Sequence, residues 1–171
     1  GTYPLPEAQL DRFMLSIQVK YPSENEELEI VQRATSPRSV ELSPVLEAAE
    51  MREIQALVPR IPAGDHVYRF AIGLARSSRP ELPGSPEYVR RFISWGAGPR
   101  ASEHLMLGAK ARALLSGRLH TTTDDVEAVA VPVLAHRMVT NFNAESEGVS
   151  SASLVKKLLE TVPREKSKAL E

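Results

Sequence analysis

The chain contains no cysteine, which excludes disulfides, thiolate zinc sites and cysteine nucleophiles. No apolar run approaches the roughly 20 residues of a membrane-spanning helix. Nothing at the start reads as a signal peptide, so the expectation is a soluble, cytoplasmic protein without a membrane partner. Neither sign of charge dominates. Twenty-one Lys and Arg against 22 Asp and Glu leave a formal net charge of −1, with no global pull toward nucleic acid or acidic lipid. Motifs of chemistry are missing as well. Gly96-Ala97-Gly98 lacks the downstream Gly-Lys-Ser/Thr of a phosphate-cradling loop. No paired acidic cluster follows an apolar strand, and no G-x-S-x-G elbow occurs. His66, His104, His120 and His136 lie scattered without metal-ligand spacing, so no metal site is expected. Alone, the chain carries no complete active site.

What is present is organised around Trp95-Gly96-Ala97-Gly98-Pro99-Arg100-Ala101-Ser102. Glycines permit a tight turn, and proline suits the first helical position. Gly98 is therefore the expected N-cap and Pro99 the first residue of a helix. Arg100 then stands in the first turn, at the positive end of the helix dipole, where a cation does not help the helix. Two readings fit: an anion visits, or the arginine reaches a carboxylate on a neighbouring element. The helix should run to about Ser116, with Gly117 as its stop. It is apolar or small over most of its circumference, which predicts a central, buried helix.

The rest is punctuated by 13 prolines. Residues 6–12 suit one or two helical turns. Phe13, Leu15, Ile17 and Val19 alternate with polar or flexible neighbours, which predicts a strand. No second confident strand follows, so this one is an orphan whose ladder needs partners. Ser23 and Glu26 form a capping box for a helix to about Ala34 that buries Leu28 and Val31. Helices are predicted over 48–58, 64–77 and 87–94. Thr122 to Asp125 cap a further helix that Pro132 kinks or restarts, and residues 133–138 continue it. Residues 141–148 read as a loop. Ser150 or Ser151 caps the last helix, and the charged tail from 164 is expected to be disordered. Arg12, at the end of the first short helix, is a second candidate nucleotide contact. Its alternative is a weak surface ion pair.

Several stretches resemble the MoxR family of AAA+ ATPases. Residues 1–13, Gly-Thr-Tyr-Pro-Leu-Pro-Glu-Ala-Gln-Leu-Asp-Arg-Phe, are similar to the family's segment just after sensor 1, and Tyr21-Pro22-Ser23-Glu24 continues it. Residues 96–101, Gly-Ala-Gly-Pro-Arg-Ala, resemble its sensor 2 motif, and residues 132–137, Pro-Val-Leu-Ala-His-Arg, its lid signature. Family members often have serine in place of Gly98 and arginine in place of Ala135. Walker A, Walker B and sensor 1 are absent.

The resemblance implies a mainly α fold: a helical AAA+ lid preceded by one short helix and one orphan strand of the P-loop core. It implies a core remnant over 1–35, a linker over 36–47, a lid over 48–163 and a tail over 164–171. It implies Arg12 as an arginine finger reaching a neighbouring subunit's nucleotide, and Arg100, presented by Gly98 and Pro99, as the sensor 2 arginine. ATP and Mg²⁺ would belong to the full-length protein, which would couple hydrolysis to chaperone-like remodelling or metal insertion; this chain alone is expected to be inactive. Partners would be the other subunits of a homo-oligomeric ring and a client, such as a von Willebrand A-type protein or a metalloprotein. The competing expectation is a free-standing helical module binding protein or nucleic acid through Arg90, Arg91, Arg100, Lys110, Arg112 and Arg118. Scarce aromatics and the acidic balance count against nucleic acid.

Overall fold

The computed structural model describes residues 3, 5–37 and 41–164. Residues 165–171 of the expected tail and 38–40 of the expected linker lie outside the described residues, while Arg164, expected to begin the disordered tail, pairs with Asp124 and Glu127. The fold is mainly α-helical, as expected. Its chain divides into two compact units, Gly1–Ser16 with Ala56–Glu171, and Ile17–Gln55.

The larger unit is built on the helix read from the Gly-Pro-Arg stretch. In chain order it contains α1 (Glu7–Leu10), the end of α3 (Ala48–Leu57), a 3₁₀ turn Val58–Arg60, α4 (Asp65–Ser77), α5 (Glu87–Phe92), β1 (Ile93–Trp95) and α6 (Pro99–Leu115). It continues with α7 (Thr123–Leu134), a 3₁₀ turn Ala135–Arg137, β2 (Val139–Thr140), α8 (Phe142–Ser146) and α9 (Ser151–Thr161). Helix α6 packs on α4 and α7, and α9 closes over α7. Leu105 and Ala109 of α6, Phe70 and Leu74 of α4, Val126 and Val133 of α7 and Leu158 of α9 are buried in one core. Each of the larger of these side chains contributes about 1.5–3 kcal/mol when removed from water. Gly117 ends α6 with φ +70°, a backbone region that glycine enters without a Cβ penalty.

Helix α7 starts on a buried charge. Thr122 and Asp125 form a reciprocal capping box, and the Asp125 side chain is fully buried. Its oxygens accept from Arg112 Nη1 (2.7 Å), Arg118 Nη1 (2.7 Å), Arg118 Nη2 (2.5 Å) and the Thr122 N–H (3.0 Å). Burial alone would push this carboxyl up. The donors from Arg118, Thr122 and Arg112 outweigh it and hold Asp125 far below the usual carboxylate range.

Several local expectations are corrected. The strand expected over residues 13–20 forms neither helix nor ladder. Ladder groups need an edge to pair with, and no described residue supplies one. Its first residues are tied down singly, as where the Ser16 N–H donates to Pro132 O at 2.9 Å. Two unpredicted strands do pair: β1 and β2 run antiparallel, Ile93 opposite Thr140 and Trp95 opposite Val139. Segments of three and two residues are too short to show a period. Pro132 sits inside α7, which ends two residues later, so the expected continuation is a 3₁₀ turn. The expected loop 141–148 holds α8, capped by the Asn141 side chain on the Ala144 N–H.

The smaller unit contains α2 (Glu24–Ala34) and most of α3. The Ser23–Glu26 capping box is present. Neither helix buries a residue; Leu28 and Val31, expected to be buried, are 55% and 52% exposed. Their apolar faces stay about half exposed, and helices this short draw their stability from packing such faces.

Candidate functional site

The turn before α6 is pinned from one side by the end of α4. The Ala97 N–H donates to Ser78 Oγ at 2.9 Å, and Arg79 Nε donates to Ala97 O at 2.8 Å. Ser78 is fully buried. A Cβ on Gly96 would lie 2.4 Å from Ser78 O, so the backbones approach too closely for any side chain. Gly98 is the N-cap and Pro99 the first helical residue, as expected. A Cβ on Gly98 would meet nothing within 4 Å, so serine would fit there. The first turn holds no acidic residue of its own.

Arg100 projects from this fixed first turn and finds a carboxylate. Its Nη1 lies 2.7 Å from Asp11 Oδ2, a carboxylate on a neighbouring element. The arginine is 46% exposed and Asp11 30%, and Asp11 is the only polar partner of the Arg100 guanidinium among the described residues. The other Asp11 oxygen, Oδ1, accepts from Arg137 Nε at 3.1 Å. One carboxylate thus bridges an exposed and a buried arginine.

Arg137 is the hub of the site. Its side chain is 1% exposed. Nη2 donates to Asp11 O (2.9 Å) and Phe13 O (2.6 Å), and Nη1 to Met14 O (3.3 Å) and to Val133 O. It also meets His104 Nδ1 at 2.7 Å. A guanidinium only donates, so His104 Nδ1 accepts and its proton is on Nε2. Burial, then the charges of Arg137 and Arg100, push the His104 pKa down, which keeps that lone pair available. His136 Nε2 donates to Phe13 O at 3.1 Å, and burial likewise lowers its pKa. The carbonyls on both sides of Arg12 are therefore held by α7's end, through Arg137 and His136.

Arg12 itself is exposed, and its guanidinium has no hydrogen bond or ion pair among the described residues. The alternative reading of Arg12, a surface ion pair, finds no partner among the described residues; the adjacent Asp11 is committed to Arg100 and Arg137. The structure brings Arg100 onto the residue before Arg12 without joining the two arginines. Beside them Glu7, Asp11, Trp95, Gly98, His136 and Arg137 line a cavity of about 310 Å³. Trp95 is 70% exposed. Sequence reasoning missed Asp11, Arg137, His104 and Ser78 as parts of the site. Their partners lie far away in the chain, and no local pattern announces them.

The other cations of the expected basic patch are largely engaged. Arg91 pairs with Glu147, Arg112 and Arg118 with Asp125, and Lys110 donates to Pro59 O. Among the described residues no group of three or more His, Asp or Glu could hold a metal, and no helix is long and apolar enough to cross a membrane.

Residues 87–158 match the family described as AAA lid domain. A Bacillus subtilis protein, YeaC, uncharacterized by name, is 33% identical over 163 residues, covering 95% of this chain and 48% of its own length. Chaperone MoxR1 of Mycobacterium tuberculosis is 34% identical over 171 residues, covering 95% of this chain and 43% of its own length. The crystal structure of a candidate ATPase from Cytophaga hutchinsonii superposes with a TM-score of 0.88 at 32% identity, covering 97% of this chain and 51% of that one. The chain thus spans about half the length of the relatives it matches.

Proposed function

Because the chain belongs to the MoxR family of AAA+ proteins and carries their lid domain, we propose that it is the nucleotide-sensing part of an ATPase that couples hydrolysis to chaperone-like remodelling of a client. The observation that carries this reading is Arg100, held by Gly98 and Pro99 at the head of α6 and half exposed. Arginine is always charged and its fork matches phosphate oxygens. In this reading Arg100 is the sensor 2 arginine. Arg12, exposed and without a partner among the described residues, is an arginine finger offered to a neighbouring subunit of a homo-oligomeric ring. Phosphoryl transfer depends on positioning and charge stabilisation, and such a finger is worth about 10³–10⁵ in rate.

ATP and Mg²⁺ would be held mainly outside this chain. The described residues offer phosphate an arginine, and the sequence contains neither a P-loop nor a Walker-type acidic pair. Metal insertion into a client, or a von Willebrand A-type partner, extends the same reading through the family alone. The DNA upstream of Gly1 supplies the first test: an open reading frame with a P-loop supports the proposal, and a start codon at that point counts against it. In a longer protein carrying that P-loop, Arg100→Ala should cut ATP turnover at least about tenfold while the fold persists. Unchanged turnover would remove Arg100 from the mechanism.

A further inference from the structure

The contact between Arg100 and Asp11 is built asymmetrically. Asp11 is anchored without Arg100's help: Arg137 grips its Oδ1 at 3.1 Å and its main-chain oxygen at 2.9 Å from a nearly inaccessible position. Arg100 has the opposite character. It is half exposed, and only Nη1 is engaged, which leaves most of its five donors unused. The carboxylate is fixed and the guanidinium can swing.

We propose that Asp11 is a resident counter-ion for Arg100 that competes with phosphate. It holds the guanidinium when no phosphate is present and is displaced when one arrives. The inference rests on the reading of Arg100 as the phosphate-sensing arginine and adds the group from which phosphate must take it. The displacement is within reach of a weak interaction. An exposed ion pair shifts an equilibrium only about two- to fivefold, whereas a phosphate chain offers more charge and a bidentate acceptor. After the exchange Asp11, which directly precedes Arg12, keeps Arg137 as its remaining arginine.

The test uses the 171-residue chain and inorganic tripolyphosphate. In the wild type, the Arg100 Nε–H resonance and the Asp11 side-chain carboxyl carbon resonance should shift together along one binding curve. Asp11→Asn should bind tripolyphosphate about two- to fivefold more tightly, and Asp11→Asn with Arg100→Ala should lose the gain. If Arg100 shifts while Asp11 does not, the competition is refuted and the sensing reading stands. A tighter Asp11→Asn without movement of the wild-type Asp11 signal would mean simple charge repulsion and would also refute it. If Arg100→Ala leaves binding unchanged, or Arg100 never responds to millimolar tripolyphosphate, the sensing reading itself fails. The wild-type titration decides even if Asp11→Asn does not fold.

Discussion

Arg100 Nη1 sits 2.7 Å from Asp11 Oδ2, across 89 residues of sequence. The pair joins the head of α6 to the turn that precedes Arg12. It is exposed enough to be labile, and its permanence comes from what lies beneath: Arg137 holds the same carboxylate and the carbonyls of residues 11, 13 and 14.

Replacing that hub should release the N-terminal turn. Arg137→Met keeps much of the buried stem but leaves Asp11 with Arg100 alone and takes a donor from the carbonyls of residues 11, 13 and 14. Losing one partner of a buried charged network costs about 3–5 kcal/mol. The expected result is a lower urea midpoint and loss of amide protection at Ser16, whose N–H bonds to Pro132 O just beyond the segment that Arg137 holds. Arg137→Lys should rescue little, because a lysine ammonium lacks the planar fork that reaches these acceptors together. Full protection at Ser16 in Arg137→Met would show that the segment is held by other contacts.

Asp125 should make the larger unit acid-labile. Its folded pKa lies below the unfolded value of about 3.9. The unfolded chain therefore binds the proton first, and the stabilisation is present above about pH 4 and lost as pH falls through the folded pKa. Asp125→Asn should lower the thermal midpoint at pH 7 and flatten its decline below pH 4. Asp125→Ala should cost about 3 kcal/mol, the low end for a broken buried pair, because Arg112 and Arg118 are 46% and 33% exposed and can turn to water. Parallel pH profiles for wild type and Asp125→Asn would contradict this account.

Gly96→Ala should damage the turn before α6 more than Gly98→Ala. The added Cβ at 96 would lie 2.4 Å from the Ser78 carbonyl oxygen, while at 98 it meets open space. Overpacking of this kind costs about 1–3 kcal/mol, and an N-cap change at 98 about 1 kcal/mol. Chemical denaturation of the two variants checks the order, and equal midpoints would show that the α4–α6 contact yields freely.

The elements legible in the sequence are those whose signals are local. The start of α6 at Gly98-Pro99, its stop at Gly117, the capping box at Ser23 and the cap over Thr122 to Asp125 each depend on residues within one turn of one another, and all are present. The strand read over residues 13–20 rested on period alone, and a strand exists only with a partner edge. Asp11 with Arg137, 126 residues apart, and Gly96 with Ser78 are relationships created by folding. The two readings of Arg100 were not separable by pattern, because carboxylate and phosphate use the same guanidinium.

The roles proposed for the two arginines predict different behaviour in mixtures. In a longer protein that carries a P-loop, Arg12→Ala and Arg100→Ala should each cut ATP turnover strongly without unfolding the chain. Neither side chain lies in the core, so truncation removes no core volume; Arg12→Ala should cost within about 0.5 kcal/mol, and Arg100→Ala no more than its half-exposed pair with Asp11, about 1 kcal/mol. If Arg12 serves the neighbouring subunit, Arg12→Ala subunits mixed with subunits lacking the P-loop lysine should regain some activity. One interface in the mixed ring then joins an intact finger to an intact P-loop. The same mixing with Arg100→Ala should restore activity only if Arg100 also acts across the interface, so the pair of experiments assigns each arginine to its own or its neighbour's nucleotide. An Arg12→Ala protein that assembles correctly, stays inactive and is never rescued would place Arg12 on its own subunit's nucleotide. Normal turnover in Arg12→Ala would remove it from the mechanism.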